Sequence, residues 1–181
     1  NGQTSSNATG LSAGTYTITV TDANGCSATA TATITQPPVL TVTTGGIVNV
    51  LCNGGNNGAA SANAGGGTPA YTYAWSNGQT SSNATGLSAG TYTITVTDAD
   101  GCSATATATI TEPTALTATT SFVQSTCGNA NGSADVTVGG GTPAYTYVWN
   151  DGQPSSNATG SLAGAYTLTV TDANGCTITA S

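Results

Sequence analysis

The chain has 181 residues, only 4% of them charged; Lys, Arg and His are absent, and seven acids give a net charge of −7. Nothing in it can neutralise a phosphate, which excludes nucleic acid as a partner, and attraction to an anionic membrane surface fails for the same reason. No stretch approaches the roughly eighteen apolar residues of a spanning helix, so no membrane insertion is expected of this segment.

The chain opens in mid-repeat, which leaves room for a leader upstream. Its first phrase is Leu11–Cys26, LSAGTYTITVTDANGC. Tyr16, Ile18 and Val20 alternate with Thr15, Thr17, Thr19 and Thr21, the two-residue period of a half-buried strand. Asp22-Ala23-Asn24-Gly25 supplies a turn, and Ser27–Thr35 alternates again with Ala28, Ala30, Ala32 and Ile34 on one face. The phrase predicts a β-hairpin with a dry face and a threonine face. It returns at Leu87–Cys102 and, varied, at Ser161–Cys176, so the chain is a tandem repeat. Residues 1–38 are expected to be the second half of one repeat, ending at Gln36-Pro37-Pro38, where proline removes a ladder donor.

A whole repeat is expected over 39–113. Leu40 and Val42 open its first strand, and Val48, Val50 and Cys52 continue the alternation. Asn53–Asn57 is a loop; Ala60, Ala62 and Ala64 mark a small-residue strand stopped by Gly65-Gly66-Gly67. Tyr71, Tyr73 and Trp75 share a face of the next strand, Asn77-Gly78 turns, and Asn83–Leu87 is a short strand before the hairpin. Glu112-Pro113 closes the unit. Residues 114–181 repeat the plan with Trp149 and Tyr166 in matching places, lacking most of the last strand.

Each repeat has an early and a late cysteine. Pairing early with late predicts Cys52–Cys102 and Cys127–Cys176, leaving Cys26 with a partner outside the chain; the rival is Cys26–Cys52 across the junction. A bridge closing ~50 residues stabilises by about 4 kcal/mol, which matters to a small unit with an Ala- and Gly-rich interior. Stable disulfides place the chain outside the cytoplasm.

Seven or so short strands, one Trp in the middle and a Tyr opening the penultimate strand predict an all-β fold: tandem immunoglobulin-like sandwiches of about 75 residues, strung as beads. Leu87-x-Ala89-Gly90-x-Tyr92 looks like a tyrosine corner, with Tyr16 and Tyr166 at the same place in their repeats. The late cysteine follows the hairpin turn, unlike the antibody pattern.

Cys52-x-Gly54, Gly65-Gly66-Gly67-Thr68-Pro69-Ala70-Tyr71-Thr72-Tyr73-x-Trp75, Asn77-Gly78-Gln79, Ala89-Gly90-Thr91-Tyr92 and Val96-Thr97-Asp98-Ala99-Asp100-Gly101-Cys102 together resemble the SprB repeat. That module occurs in very long surface adhesins of gliding Bacteroidota. The resemblance implies an exported, extracellular or cell-surface protein, a spacer in a stalk or fibre, and assigns no ligand.

No His, Lys or Arg is present to act as general base, Schiff-base former or oxyanion clamp, and the thiols are expected to be spent in disulfides, so no catalysis and no cofactor are expected. Asp98-x-Asp100-Gly101 begins like a calcium loop but lacks the later ligands; a junction site would combine Asp98 or Asp100 with Glu112, against the plain reading of turn chemistry. The row Tyr71, Tyr73, Trp75 could serve a sugar or the core. The threonine faces suit an ice-binding array or simple cross-strand pairing. Asn7, Asn83, Asn131 and Asn157 fit the N-glycosylation pattern. Surface polysaccharide is one conceivable partner. The chief partner is expected to be the protein itself: 1–38 has an apolar face with no sheet opposite, so either the chain continues or strands are donated between copies, building a filament.

Overall fold

Alternation of Thr with Ala, Val and Ile makes one strand after another. The computed structural model describes residues 2–181 and holds fourteen β-strands, with no helix among the described residues. The fold is an all-β series of small sheets.

The first pair is β1 (Gly14–Thr21) and β2 (Ser27–Ile34), an antiparallel hairpin forming a sheet of its own. Thr15 faces Thr33, Thr17 faces Thr31, Thr19 faces Thr29, and Thr21 faces Ser27. Thr35 therefore stays outside the ladder expected for it. Among the described residues no sheet covers the other side, and Ile18, Val20 and Ile34 are exposed.

Next come β3 (Thr41–Val48), β4 (Gly58–Gly65), β5 (Thr72–Trp75), β6 (Asn83–Leu87), β7 (Gly90–Thr97) and β8 (Ser103–Ile110). They form two three-stranded sheets, β3-β4-β6 and β5-β7-β8. Between them lie Ala60, Ala62, Trp75, Ala84, Leu87, Ile94, Val96, Ala108 and Ile110, all buried. Small alanines on one side let the indole of Trp75 fill the other, and its Nε1 donates to Ser81 O at 2.9 Å, so no polar atom is stranded. Thr44 Oγ1 donates to Thr107 O at 2.8 Å and links the sheet edges.

Two local expectations change. The register of β3 on β4 shifts between Gly45 and Val48, so the alternation breaks at a bulge instead of running to Cys52. Cys52 lies in a turn closed by Gly55 N to Cys52 O at 2.9 Å. Six strands, not about seven, make this sandwich.

The third group is β9 (Thr117–Val123), β10 (Gly132–Gly139), β11 (Thr146–Trp149), β12 (Asn157–Ser161), β13 (Leu168–Thr171) and β14 (Thr177–Ala180), again two three-stranded sheets. Trp149, Ala158, Leu168 and Val170 form the core. Here β14 ends at Ala180, so β13 is paired over four residues where β7 is paired over eight. A cavity of about 590 Å³ opens beside Phe122, Trp149, Ser161 and Tyr166.

Candidate functional site

Each sandwich has two ends. At one, the incoming chain meets the three-glycine turn: Gly67 N donates to Pro38 O at 2.7 Å, and a β-carbon on Gly66 (φ 69°) would stand 2.1 Å from Val39 O. Asp98 belongs to this end. Its Oδ2 accepts from Thr68 N at 2.9 Å, and its Oδ1 accepts from Asp100 N at 3.0 Å and Cys102 N at 2.8 Å. The Thr68 amide does most to hold its carboxyl below the ordinary range, against the upward push of burial, with the Cys102, Asp100 and Gly101 amides adding to it. At Asp172 burial pushes upward, and the amides of Thr142, Cys176, Asn174 and Gly175 outweigh it, so that carboxyl is lowered as well.

The opposite end carries the Cys52 loop. Val50 N donates to Thr111 O at 2.9 Å, Gly54 N to Glu112 Oε2 at 2.6 Å, and Asn53 Nδ2 to Pro113 O at 3.1 Å. These bonds fasten the early loop to the segment that leaves the sandwich.

Two sequence expectations fail on this geometry. Cys102 precedes β8 and the Cys52 loop lies beyond its far end, so eight residues of strand, about 25 Å, separate them. A disulfide needs its Cα atoms within about 7 Å, so Cys52–Cys102 does not form. Cys127–Cys176 is excluded by the same layout, since Cys127 follows β9 and Cys176 precedes β14 at the other end. The observed bridge is Cys52–Cys176, with Cα atoms 5.7 Å apart and a sequence separation of 124. Cys26, Cys102 and Cys127 are free and exposed, so the rival Cys26–Cys52 is absent too. The calcium combination of Asp98 or Asp100 with Glu112 falls likewise, because Glu112 stands at the opposite end of β8 from both aspartates. Asp100 Oδ2 instead accepts from Thr68 Oγ1 at 2.6 Å. Among the described residues no group of three acids or cysteines is placed to hold a metal.

The bridge joins the far end of one sandwich to the near end of the next. Around it, Asn174 Nδ2 donates to Leu51 O at 3.0 Å and to Thr142 Oγ1 at 2.9 Å, and Cys176 Sγ rests 3.4 Å from Leu51 O. Gly141 N donates to Thr114 O at 2.8 Å, setting the exit segment into the second glycine turn. A disulfide and a cross-repeat amide bond thus fix the junction on both sides of Pro113. Asn24 and Asn174 replace Asp100 in the other repeats, which weakens a charge-based site and, at Asn174, supplies a junction contact that the sequence did not reveal. The available signal was this alternation with aspartate: Asn24 and Asn174 keep an N–H₂ donor where Asp100 has none.

The other candidates are placed as follows. Tyr16, Tyr92 and Tyr166 each donate a phenol proton to a backbone oxygen four residues back, Ser12, Ser88 and Leu162, at 3.0, 3.1 and 3.2 Å. Trp75 and Trp149 are buried, and the Trp149 Nε1 donates to Ser155 O at 2.9 Å. Asn7, Asn83, Asn131 and Asn157 are all exposed. The amide of Asn131 is engaged with Thr126, and that of Asn157 with Asp135. The threonine ladder repeats on β7 and β8, where Thr91 and Thr109 hydroxyls lie 3.4 Å apart.

Residues 40–80 and 119–154 match the family model of the SprB repeat. No curated protein matches the chain.

Proposed function

Because two of its segments match the SprB repeat, which is structural and not enzymatic, we propose that the chain is a load-bearing stalk of an extracellular or cell-surface bacterial fibre. Its beads are immunoglobulin-like sandwiches bounded at 39–113 and 114–181, and the hairpin of 1–38 belongs to a further bead. The apolar face of that hairpin and the open cavity beside Phe122 favour other repeats as neighbours, reached by chain continuation or by strands from a second copy. Repeats added head to tail in this way extend without closing, which makes a filament. Glycans on the exposed Asn, Ser or Thr side chains would keep a nearly uncharged fibre in solution.

The Cys52–Cys176 bridge is the observation that carries this reading. Force applied at the two ends passes through the S–S bond and bypasses the residues between. Pulling single molecules from their termini tests it. At about 3.4 Å per residue, the 124-residue span holds roughly 420 Å of contour length. That length should stay locked in oxidised protein and appear only after reductant is added. Its release without reductant would overturn the load-bearing role.

A further inference from the structure

The free cysteines occupy the same two kinds of position as the bridged pair. Cys26 and Cys102 stand where Cys176 stands: their amides donate to Asp22 and Asp98 Oδ1, both at 2.8 Å, as Cys176 N does to Asp172 Oδ1 at 2.9 Å. Cys127 stands where Cys52 stands. Thr126 N donates to Asn131 Oδ1 at 2.9 Å, as Leu51 N does to Asn57 Oδ1 at 3.1 Å. The Cys127 loop is one residue shorter, and Cys127 itself takes φ 51°, a left-handed value that costs a side-chain-bearing residue about 1–2 kcal/mol. The Cys52–Cys176 bridge shows what these two kinds of position do when both halves are present.

We propose that Cys26, Cys102 and Cys127 are open halves of the same junction bridge, each completed by a cysteine of a neighbouring repeat, and that between two copies of this chain the pair is Cys127 with Cys26. The choice of Cys26 over Cys102 follows from the junction geometry. Asn174 Nδ2 reaches the carbonyl of Leu51 across the bridge, and Asn24 carries the same donor in the same turn. Asp100 has no proton to give, and its charge would face the carbonyl of Thr126 unfavourably.

The step requires an external disulfide such as oxidised glutathione. The Cys127 thiolate attacks one of its sulfurs and expels a thiolate, giving a mixed disulfide. The Cys26 thiolate of the second copy then attacks the Cys127 sulfur and expels the other. Two protein thiols lose two protons and two electrons, and one external disulfide becomes two thiols.

Equal amounts of ¹⁴N- and ¹⁵N-labelled chain, reduced and then oxidised with glutathione disulfide, provide the test. The products are run on non-reducing gels and mapped by mass spectrometry after chymotrypsin digestion, since no trypsin site exists. The expected result is a ladder of cross-linked species with mixed-label Cys26–Cys127 peptides, and Cys52–Cys176 peptides of a single label. Cys127→Ser should remove the ladder and keep Cys52–Cys176, and Asn24→Asp should lower the Cys26–Cys127 yield about tenfold. Cys52–Cys102 with Cys127–Cys176 in a monomer would overturn the proposal, as would equal use of Cys26 and Cys102 by Cys127. The inference rests on the filament reading, and electron microscopy separates the two. Filaments lacking the Cys26–Cys127 bond overturn the bridge alone, whereas bonded dimers that never extend overturn the filament alone.

Discussion

The two complete hairpin entries differ by a transposition whose cost can be worked out. In one repeat Leu87 is 1% exposed and packs against Ile110, with Ser88 outside; in the next the order is reversed, placing Ser161 inside and Leu162 outside. Leu162 is accordingly 56% exposed, and the hydroxyl of Ser161 is buried without a hydrogen-bond partner. The cavity of about 590 Å³ is lined by both residues and by Trp149. Restoring the order with Ser161→Leu and Leu162→Ser moves one leucine side chain out of water, worth about 1.5–3 kcal/mol. It also removes an unsatisfied buried hydroxyl, worth about 1–3 kcal/mol. The cavity is open on one side and the leucine fills only part of it, so a net gain of about 2–3 kcal/mol is expected. Urea unfolding followed by Trp149 fluorescence in a Trp75→Phe background reads that repeat alone, because the chain has only two tryptophans. With a slope of about 1 kcal/mol per molar urea, the midpoint should rise by about 2 M. A midpoint that is unchanged or lower would refute the packing argument.

Cys52→Ser should destabilise the 114–181 sandwich by about 4 kcal/mol, the loop-closure value for the roughly 60 residues between a folded first sandwich and Cys176; Trp149 fluorescence in urea should show a much larger shift than Trp75 fluorescence, and equal shifts would contradict the junction role. Gly66→Ala places a β-carbon against Val39 O at a left-handed φ, so a loss of at least about 3 kcal/mol is expected in calorimetry, whereas Gly78→Ala, with open space around it, should cost only the backbone strain of about 1 kcal/mol. The lowered carboxyls of Asp98 and Asp172 stabilise fully above the ordinary aspartate value near 3.8, and that contribution is lost as pH falls from there through their folded values. Thermal midpoints should therefore be flat between about pH 5 and 7 and fall below about pH 4, with Asp98→Asn flattening the acid limb; a decline beginning near neutrality would contradict it.

What the sequence determined by itself was local. The strand period, the Asp-x-Asn-Gly turn and the pairing register are written in residues a few positions apart, and β1–β2 and β7–β8 adopt the same ladder, Gly14 opposite Ile34 and Gly90 opposite Ile110. The Trp in mid-sandwich and the all-β class followed from the same short-range pattern. The disulfides could not follow from it, because the early and late cysteines of one repeat lie at opposite ends of a strand, and only the docking of the next sandwich brings Cys176 to Cys52. Burial was equally out of reach. The phrase GTYTITVT occurs at Gly14–Thr21 and at Gly90–Thr97, yet Ile94 and Val96 are buried while Ile18 and Val20 are exposed. A strand's own residues choose which side is dry, but whether that side meets another sheet depends on chain far away, and that is decided by tertiary packing alone.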